Sequence, residues 1–320
     1  MIDARFLVTW LGAGLAIALA GGAILLPLLR RFQFKQTAYE DAPETHQKKT
    51  GTPTMGGVLF ALAMLPLVAA HVPFAWQLVA LVLLCALVGF VDDFMGITRG
   101  RNLGLRARTK FLATALVAIV FLRALSDSTV LFPRDVIFHA GTFVLAVPHW
   151  LWLVLGILAV TGAIHAVNLT DGLDGLATGA MIPPLVVLAI VGAGMSLAAP
   201  AITALLGIGA CLGFLFYNRH PAKMFMGDTG SLALGALFAG VAIVEGEMLL
   251  LILIGGVFVA EALSVILQVS YFKATGGKRI FRMSPLHHHF EIGGMRETAV
   301  TTMFWAASCA LSALGAVIVR

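Results

Sequence analysis

The stretch AWQLVALVLLCALVGFVDDF, residues 75–94, decides the fold. It runs from Ala75 to Val91 without a charged residue and then meets two adjacent aspartates, Asp92 and Asp93. An apolar helix of roughly 20 residues crosses the hydrocarbon core of a bilayer. Carboxylates so close to hydrocarbon are costly, and they usually mark function. The same stretch therefore predicts a membrane span and the position of a site at its end.

The whole chain has the composition of a membrane protein. Of its 320 residues, 60% are hydrophobic and only 12% are charged, whereas about a quarter are charged in a soluble domain. The mean hydropathy of +0.97 agrees. Three cysteines lie far apart in apolar runs, without the spacing of a disulfide or zinc framework. We therefore expect an all-α integral membrane protein, one polytopic domain over residues 1–320, and no nucleic-acid partner.

Apolar runs broken at charged residues and at Pro/Gly clusters predict about ten transmembrane helices. These spans are 6–29, 55–72, 75–91, 109–125, 149–167, 175–194, 199–217, 231–246, 248–270 and 298–318. The eighth and ninth spans must be joined by a very short polar turn at Glu245-Gly246-Glu247. Segment 126–148 is predicted to form a short hairpin on the membrane surface, pairing 136–138 with 143–145.

Lysine and arginine set the predicted orientation. The alternate loops 30–54, 92–108, 168–174, 218–230 and 271–297, together with Lys110, hold 17 of the 21 Lys and Arg residues. Because positively charged loops stay in the cytoplasm, these five loops are predicted to be cytoplasmic and both termini periplasmic. Setting topology is the simplest explanation of the net charge of +5. It does not explain the acidic residues embedded in the same loops.

Five aspartates lie at span ends in three of these loops: Asp92, Asp93, Asp171, Asp174 and Asp228. Each could simply cap a helix or hold a basic loop. The flanking glycines add something that capping does not need, since they let backbone approach a ligand closely. Mg²⁺ binds one or two carboxylates together with substrate phosphates. The pattern indicates a magnesium and diphosphate site, and leaves open which of Asp92 and Asp93 faces the metal.

Other polar segments allow more than one interpretation. Pro285-Leu-His-His-His-Phe-Glu291 could bind an anion, could bind zinc, or could be a polar loop on the membrane surface; anion binding is favoured because no partner ligands stand at zinc spacing. Segment 48–57 lacks the order of a phosphate-binding P-loop and could be a basic anchor with an N-cap. Glu261, inside an apolar span, could relay protons or be a buried structural residue, and we leave it out of the catalytic set.

Six segments together resemble the polyprenyl-phosphate N-acetylhexosamine-1-phosphate transferases. They are 48–57, 91–94, 168–176, 218–222, 226–231 and 284–291, in the family's order and over essentially the whole chain. Segments 48–57 and 285–291 are similar to the branch that uses a muramoyl-pentapeptide donor. The resemblance implies a homodimer in the bacterial cytoplasmic (inner) membrane, with Mg²⁺ as cofactor and a cytoplasmic active site. Its substrates would be UDP-MurNAc-pentapeptide and undecaprenyl phosphate, and its products lipid I and UMP.

The resemblance also implies roles for individual residues. Asp92, Asp93 and Asp228 would be catalytic, with Asp228 the Mg²⁺ ligand. The Phe225 ring would stack on uracil, and the histidines would close the site near the sugar or phosphates. The whole substrate-binding set that it implies is Lys49, Thr54, Asn168, Asp171, Gly172, Leu173, Asp174, Asn218, Phe225, His287, His288 and His289.

The mechanism of the transfer has two alternatives. Attack by the lipid phosphate could be direct, with Asp92 orienting or deprotonating it, or could pass through a covalent intermediate on Asp93 or Asp92.

Several other functions compete with this one. The donor could be UDP-GlcNAc. A transporter would place polar groups near the bilayer midplane rather than at span ends. An intramembrane aspartyl protease would pair Gly227-Asp228 with a second aspartate inside the membrane, and the sequence has none there.

Overall fold

The structure, a computed structural model, describes residues 3–32, 51–99, 104–127, 136–137, 144–145 and 147–319. Nearly all of these residues lie in helices. In chain order the elements are α1 (Ala4–Arg31), α2 (Val58–Ala63), α3 (Leu65–Ala69), α4 (Ala75–Thr98), α5 (Ala107–Ser126), β1 (Val136–Ile137), β2 (Val144–Leu145), α6 (His149–Thr170), α7 (Leu176–Gly194), α8 (Ala198–Asn218), α9 (Gly227–Val244), α10 (Leu250–Ile254), α11 (Gly256–Ala274), α12 (Leu286–Ile292) and α13 (Glu297–Ile318).

Nine helices within the described ranges are long and apolar enough to cross a membrane, which confirms the predicted fold class. They are α1, α4, α5, α6, α7, α8, α9, α11 and α13. The remaining predicted span, 55–72, is found as the shorter α2 and α3, which meet at Met64. Pro66 lies in the first turn of α3 and has no N–H to continue the helix, which explains the break. Likewise, the predicted span 248–270 is divided at Gly255 into α10 and α11.

Two predictions about the outer segments can be compared with the structure. Val136 pairs with Leu145 and Ile137 with Val144 in an antiparallel ladder, so the predicted hairpin is present. The turn Glu245-Gly246-Glu247 is also tight, with Gly246 in the left-handed region at φ +80°. Its two carboxylates, however, are buried rather than exposed, and burial raises the pKa of Glu247 to about 7.

The core is built by α7, α8 and α9. Their most apolar segments are 72%, 83% and 89% buried, whereas those of α1, α5, α11 and α13 are at most 28% buried. The outer helices instead expose large apolar side chains such as Leu116 and Ile266, as expected where lipid is the solvent. The hydrophobic helices thus form a buried centre and a lipid-facing ring.

Helix direction alternates along the chain, and this brings the predicted site residues to one end of the bundle. The C-terminal ends of α4, α6 and α8 lie with the N-terminal ends of α5, α7 and α9. Helix α4 continues to Thr98, so Asp92 and Asp93 are helical rather than in the predicted loop. Asp228 lies in the first turn of α9, three residues before the predicted start of that span.

Candidate active site

Three aspartates from distant parts of the chain meet at this end of the bundle. One carboxylate oxygen each from Asp92, Asp93 and Asp228 lies within 4.8 Å of the others. Adjacent residues on a helix point about 100° apart, and Asp228 lies where the directions of Asp92 and Asp93 can both reach it. The structure therefore brings together all three residues expected to be catalytic.

Lys110, at the start of α5, lies between two of these carboxylates. Its ammonium nitrogen is 3.1 Å from Asp92 Oδ2 and also contacts Asp228 Oδ2. The other oxygen of Asp92 accepts a hydrogen bond from the backbone N–H of Leu105 at 2.7 Å. Lys110 was not among the predicted site residues, since it entered the sequence argument only through the Lys and Arg count that sets orientation. A lone lysine one turn inside an apolar helix, on the side of the aspartates, is the signal that could have found it.

Asp93 has a different set of partners. Its Oδ1 accepts the backbone N–H of Asp228 at 3.0 Å, and its Oδ2 accepts the backbone N–H and the hydroxyl of Thr229 at 2.9 and 2.6 Å. Asp93 therefore caps the N-terminus of α9, a role that the sequence alone would have given to Asp228. Because Asp93 occupies these N–H groups, they are not free to bind a phosphate. Gly227, at φ +70°, makes the approach possible, since a Cβ there would lie 2.6 Å from Asp93 Oδ2.

The arrangement fits a divalent cation. Asp92 Oδ2 and Asp228 Oδ2 already converge on one cationic group, the Lys110 ammonium. Asp228 Oδ1 accepts a hydrogen bond from Asn168 Nδ2 at 2.9 Å, and the same amide nitrogen donates to Ser231 Oγ at 2.9 Å. Asn168 thus orients Asp228. Asp92, Asp93 and Asp228 could therefore hold a divalent metal ion through hard oxygen ligands.

Asp171 ends α6 beside this cluster. Burial is the main reason that its pKa is raised to about 8, and the negative charges of Asp228, Asp93 and Asp174 add to the effect. These interactions place Asp171 within electrostatic range of the acidic cluster. The next two residues diverge, since Gly172 packs against the ring of His287 whereas Leu173 is buried in the core.

Two chain segments expected around the nucleoside pair with each other. The backbone N–H of Phe225 donates to Pro53 at 2.8 Å, and that of Gly56 donates back to Phe225 at 2.9 Å. Thr54 is buried beside Gly227 and Asp93. The pairing holds the end of segment 48–57 against the start of α9. Lys49 lies outside the described residues.

Asp174 and Asn218 belong to a neighbouring region. Asp174 Oδ2 contacts His220 Nδ1 and the backbone N–H of Ala222, both at 3.0 Å. Glu297 contacts the backbone N–H of Asp174 at 2.8 Å and closes a second acidic group. Asn218 is buried and uses its amide to hold the turn after Asp174, accepting from Gly175 and donating to Met224. Its substrate-binding role stays a prediction.

The three histidines lie on the short helix α12. His287 is buried and contacts Glu261 Oε1 at 3.0 Å through Nδ1. His288 contacts Glu291 at 3.2 Å, and His289 Nδ1 accepts the backbone N–H of Arg282 at 3.1 Å. Of the three, His287 reaches the acidic side of the site, because its Nε2 faces Gly172, next to Asp171.

An open groove of about 480 Å³ lies beside Lys110. It is lined by Ala107, Arg108, Phe111, Leu112 and His165. The His165 ring stacks on Phe111, with centroids 5.6 Å apart, and its Nε2 is 3.1 Å from the Thr114 hydroxyl. The groove combines a lipid-exposed apolar wall with a cationic side chain, which suits an amphiphilic anion. Arg108 and His165 were not among the predicted site residues, because each is a single polar residue near a span end and belongs to no motif.

Comparison with known proteins gives consistent matches. Residues 75–246 match the family described as glycosyl transferase family 4. The phospho-N-acetylmuramoyl-pentapeptide-transferase of Heliobacterium modesticaldum is 46% identical over 94% of this chain and 94% of its own length. Those of Desulforamulus reducens and Bacillus cytotoxicus are 43% and 40% identical, over 97% and 98% of this chain and 95% and 98% of their own lengths.

Proposed function

The chain belongs to glycosyl transferase family 4 and, within it, to the phospho-N-acetylmuramoyl-pentapeptide-transferases, and on that premise we propose a function for the site. The protein transfers phospho-MurNAc-pentapeptide from UDP-MurNAc-pentapeptide to undecaprenyl phosphate, giving lipid I and UMP in peptidoglycan synthesis. The observation that carries the proposal is the convergence of Asp92, Asp228 and Lys110 beside a groove open to lipid.

The reaction joins two anions. An oxygen of the lipid phosphate attacks the β-phosphorus of the nucleotide sugar, a new P–O bond forms, and the bond from the β-phosphorus to the bridging oxygen breaks, so that UMP leaves. Phosphoryl transfer of this kind depends mainly on positioning and charge neutralisation. Mg²⁺ held by Asp228 would supply Lewis-acid stabilisation of the developing charge.

The chain's own residues supply the rest. Arg108 and Lys110 place positive charge between the groove and the acidic cluster, where the lipid phosphate would arrive. Asp92 is placed to orient or deprotonate that phosphate. Asp93 keeps α9 and therefore Asp228 in position through its three hydrogen bonds. Since those bonds occupy both of its oxygens, the direct displacement is favoured over a covalent route through Asp93.

The proposal includes a location and an assembly state. The positive-inside distribution of Lys and Arg favours a cytoplasmic active site in the bacterial inner membrane, with both termini periplasmic. The homodimer implied by the family resemblance is part of the same proposal. Mass measurement of the purified protein in lipid nanodiscs tests it, and a monomer with full activity would contradict it.

One assay tests the function. Purified protein is expected to release UMP from UDP-MurNAc-pentapeptide only when polyprenyl phosphate and Mg²⁺ are both present. Asp228→Asn should abolish release, whereas the matched change Asp127→Asn, at an exposed residue paired with Arg123, should not. Faster release from UDP-GlcNAc would contradict the donor assignment. A phosphorylated enzyme trapped with nucleotide substrate alone would contradict direct displacement.

A further inference from the structure

Glu261 is a buried carboxylate that no step above uses. It lies on α11, in the middle of an apolar sequence, and is fully buried. Three nitrogen atoms converge on it. The backbone N–H groups of Leu286 and His287 lie 2.6 and 3.2 Å from its two oxygens, and His287 Nδ1 lies 3.0 Å from Oε1.

This set of partners fixes the chemistry of the pair. The two backbone groups can only donate, and an ionised carboxylate can only accept. His287 Nδ1 faces the same oxygen as its own backbone N–H, so an ionised Glu261 favours the tautomer that carries a hydrogen on Nδ1. The Nδ1–H of His287 is therefore committed to Glu261, and its Nε2 is the atom left to act.

The orientation of Nε2 points it toward the substrate side of the site. The His287 side chain is 1% exposed, and its Nε2 has no hydrogen-bond partner among the described residues. The ring lies directly against Gly172, whose neighbour Asp171 senses the charges of Asp228 and Asp93. A buried ring nitrogen without a partner is costly unless a ligand completes it.

We propose that Glu261 is a positioning residue that holds His287 with Nδ1 protonated and Nε2 directed past Gly172 toward the donor substrate. When Nε2 is protonated as well, His287 can donate a hydrogen bond from Nε2 to an oxygen of the nucleotide diphosphate. The identity of the substrate rests on the proposed function. The contact between Glu261 and His287 is present in the protein without substrate.

A second residue on the same helix supports the assignment. Gln268 lies two turns after Glu261 and accepts the backbone N–H groups of Ile280 and Phe281, both at 3.0 Å. Helix α11 thus holds segment 280–287 at two points. Gln268 contacts backbone groups of this segment, whereas Glu261 also contacts the side chain of His287, which faces the site. We therefore assign a positioning role to Glu261 and an anchoring role to Gln268.

Kinetics of Glu261→Gln provide the first test. A carboxamide has one acceptor oxygen and an NH₂ group, so it cannot accept all three donors. We expect kcat/KM for the nucleotide donor to fall about 10- to 100-fold, the range found when a carboxylate that orients a histidine is removed. The KM for polyprenyl phosphate should change less than about twofold. Glu261→Asp should recover part of the loss.

Ser264→Ala is the matched control. Ser264 lies one turn along α11, is buried, and its hydroxyl donates to the Glu261 backbone carbonyl at 2.7 Å. It should keep wild-type kinetics. Wild-type kinetics in Glu261→Gln would overturn the proposal, as would a loss that raises both KM values equally.

A spectroscopic measurement makes the test independent of activity and of how the variant folds. ¹⁵N NMR of histidine-labelled wild-type protein without substrate, with His287 assigned by comparison with His287→Asn, should show a protonated Nδ1. An unprotonated Nδ1 would overturn the proposal even if UMP is released. A protein that releases no UMP but shows the protonated Nδ1 would instead contradict the proposed function and leave the Glu261–His287 pair standing.

Discussion

Replacing Gly172 by alanine is expected to displace His287 and to slow UMP release while leaving the fold intact. Gly172 lies outside the left-handed region, so its backbone can accept an alanine. Its added Cβ would lie 2.9 Å from His287 Cε1 and still closer to Nε2. Ordinary van der Waals contacts begin near 3.4 Å, so the ring must retreat by about 1 Å at Nε2.

The size of the effect follows from that retreat. His287 is buried and bonded to Glu261, so it cannot move by 1 Å without stretching the 3.0 Å contact at Nδ1. Overpacking of this kind costs about 1–3 kcal/mol of stability. A misplacement of about 1 Å in a positioned group can cost about 100-fold in rate. We therefore expect a large loss of kcat with a modest loss of thermal stability.

The assay is steady-state UMP release together with thermal unfolding in the same detergent. Gly162→Ala is the control, because Gly162 lies in α6 and its Cβ would meet no atom within 4 Å. In a double-mutant cycle, Gly172→Ala should add little once His287 is changed to alanine. Wild-type kcat in Gly172→Ala, or full additivity in the cycle, would refute the reasoning.

Three further results are expected. Lys110→Met leaves Asp92 and Asp228 facing each other without a cation, so the free energy of unfolding should fall by about 3 kcal/mol. Added MgCl₂ should reduce this loss in thermal unfolding. Equal stabilisation of wild type and variant by MgCl₂ would contradict this. The pKa of Asp171 is raised to about 8, so the folded protein binds more protons than the unfolded protein from about pH 4 to 8 and loses stability as pH rises. The stability of Asp171→Asn relative to wild type should therefore increase over that window. A pH-independent difference in stability would count against this prediction. Asp93→Asn keeps one acceptor oxygen, so it should cost about 1–2 kcal/mol of stability through the α9 cap, and hydrogen exchange should rise at Thr229; unchanged exchange would contradict the capping role.

The sequence predicted the membrane fold because the property that decides it, the length of an apolar run, is local. It also predicted which end of the helices would carry the site, since the positions of Asp92 and Asp228 at span ends are visible in the residue order. Helix ends were less accurate. Helix α4 continues past Asp93 to Thr98 because nothing in Phe94-Met-Gly-Ile-Thr98 stops a helix.

The contacts within the site could not be predicted, because they depend on how helices pack. Spacing shows that Asp92 and Asp93 diverge, but not that Asp93 caps α9 while Asp92 bonds Lys110. Glu261 was visible as an unusual residue. Its partner His287 lies 26 residues later, beyond the reach of helical periodicity. The family resemblance supplied residue roles, and the structure adds contacts: Asn168 donates to Asp228, whereas Asn218 accepts from the backbone N–H of Gly175.

Helix α11 holds segment 280–287 at two points, through Glu261 and Gln268, yet it is among the helices least buried in the protein. Its outer side exposes apolar side chains such as Ile266 and Leu267, which suit contact with acyl chains. Helix and segment must therefore shift together, and a hydrophobic molecule wedged beside α11 could disturb His287 without entering the polar cavity. Inhibitors that act from within the bilayer, and that do not compete with nucleotide, are the practical consequence of that attachment.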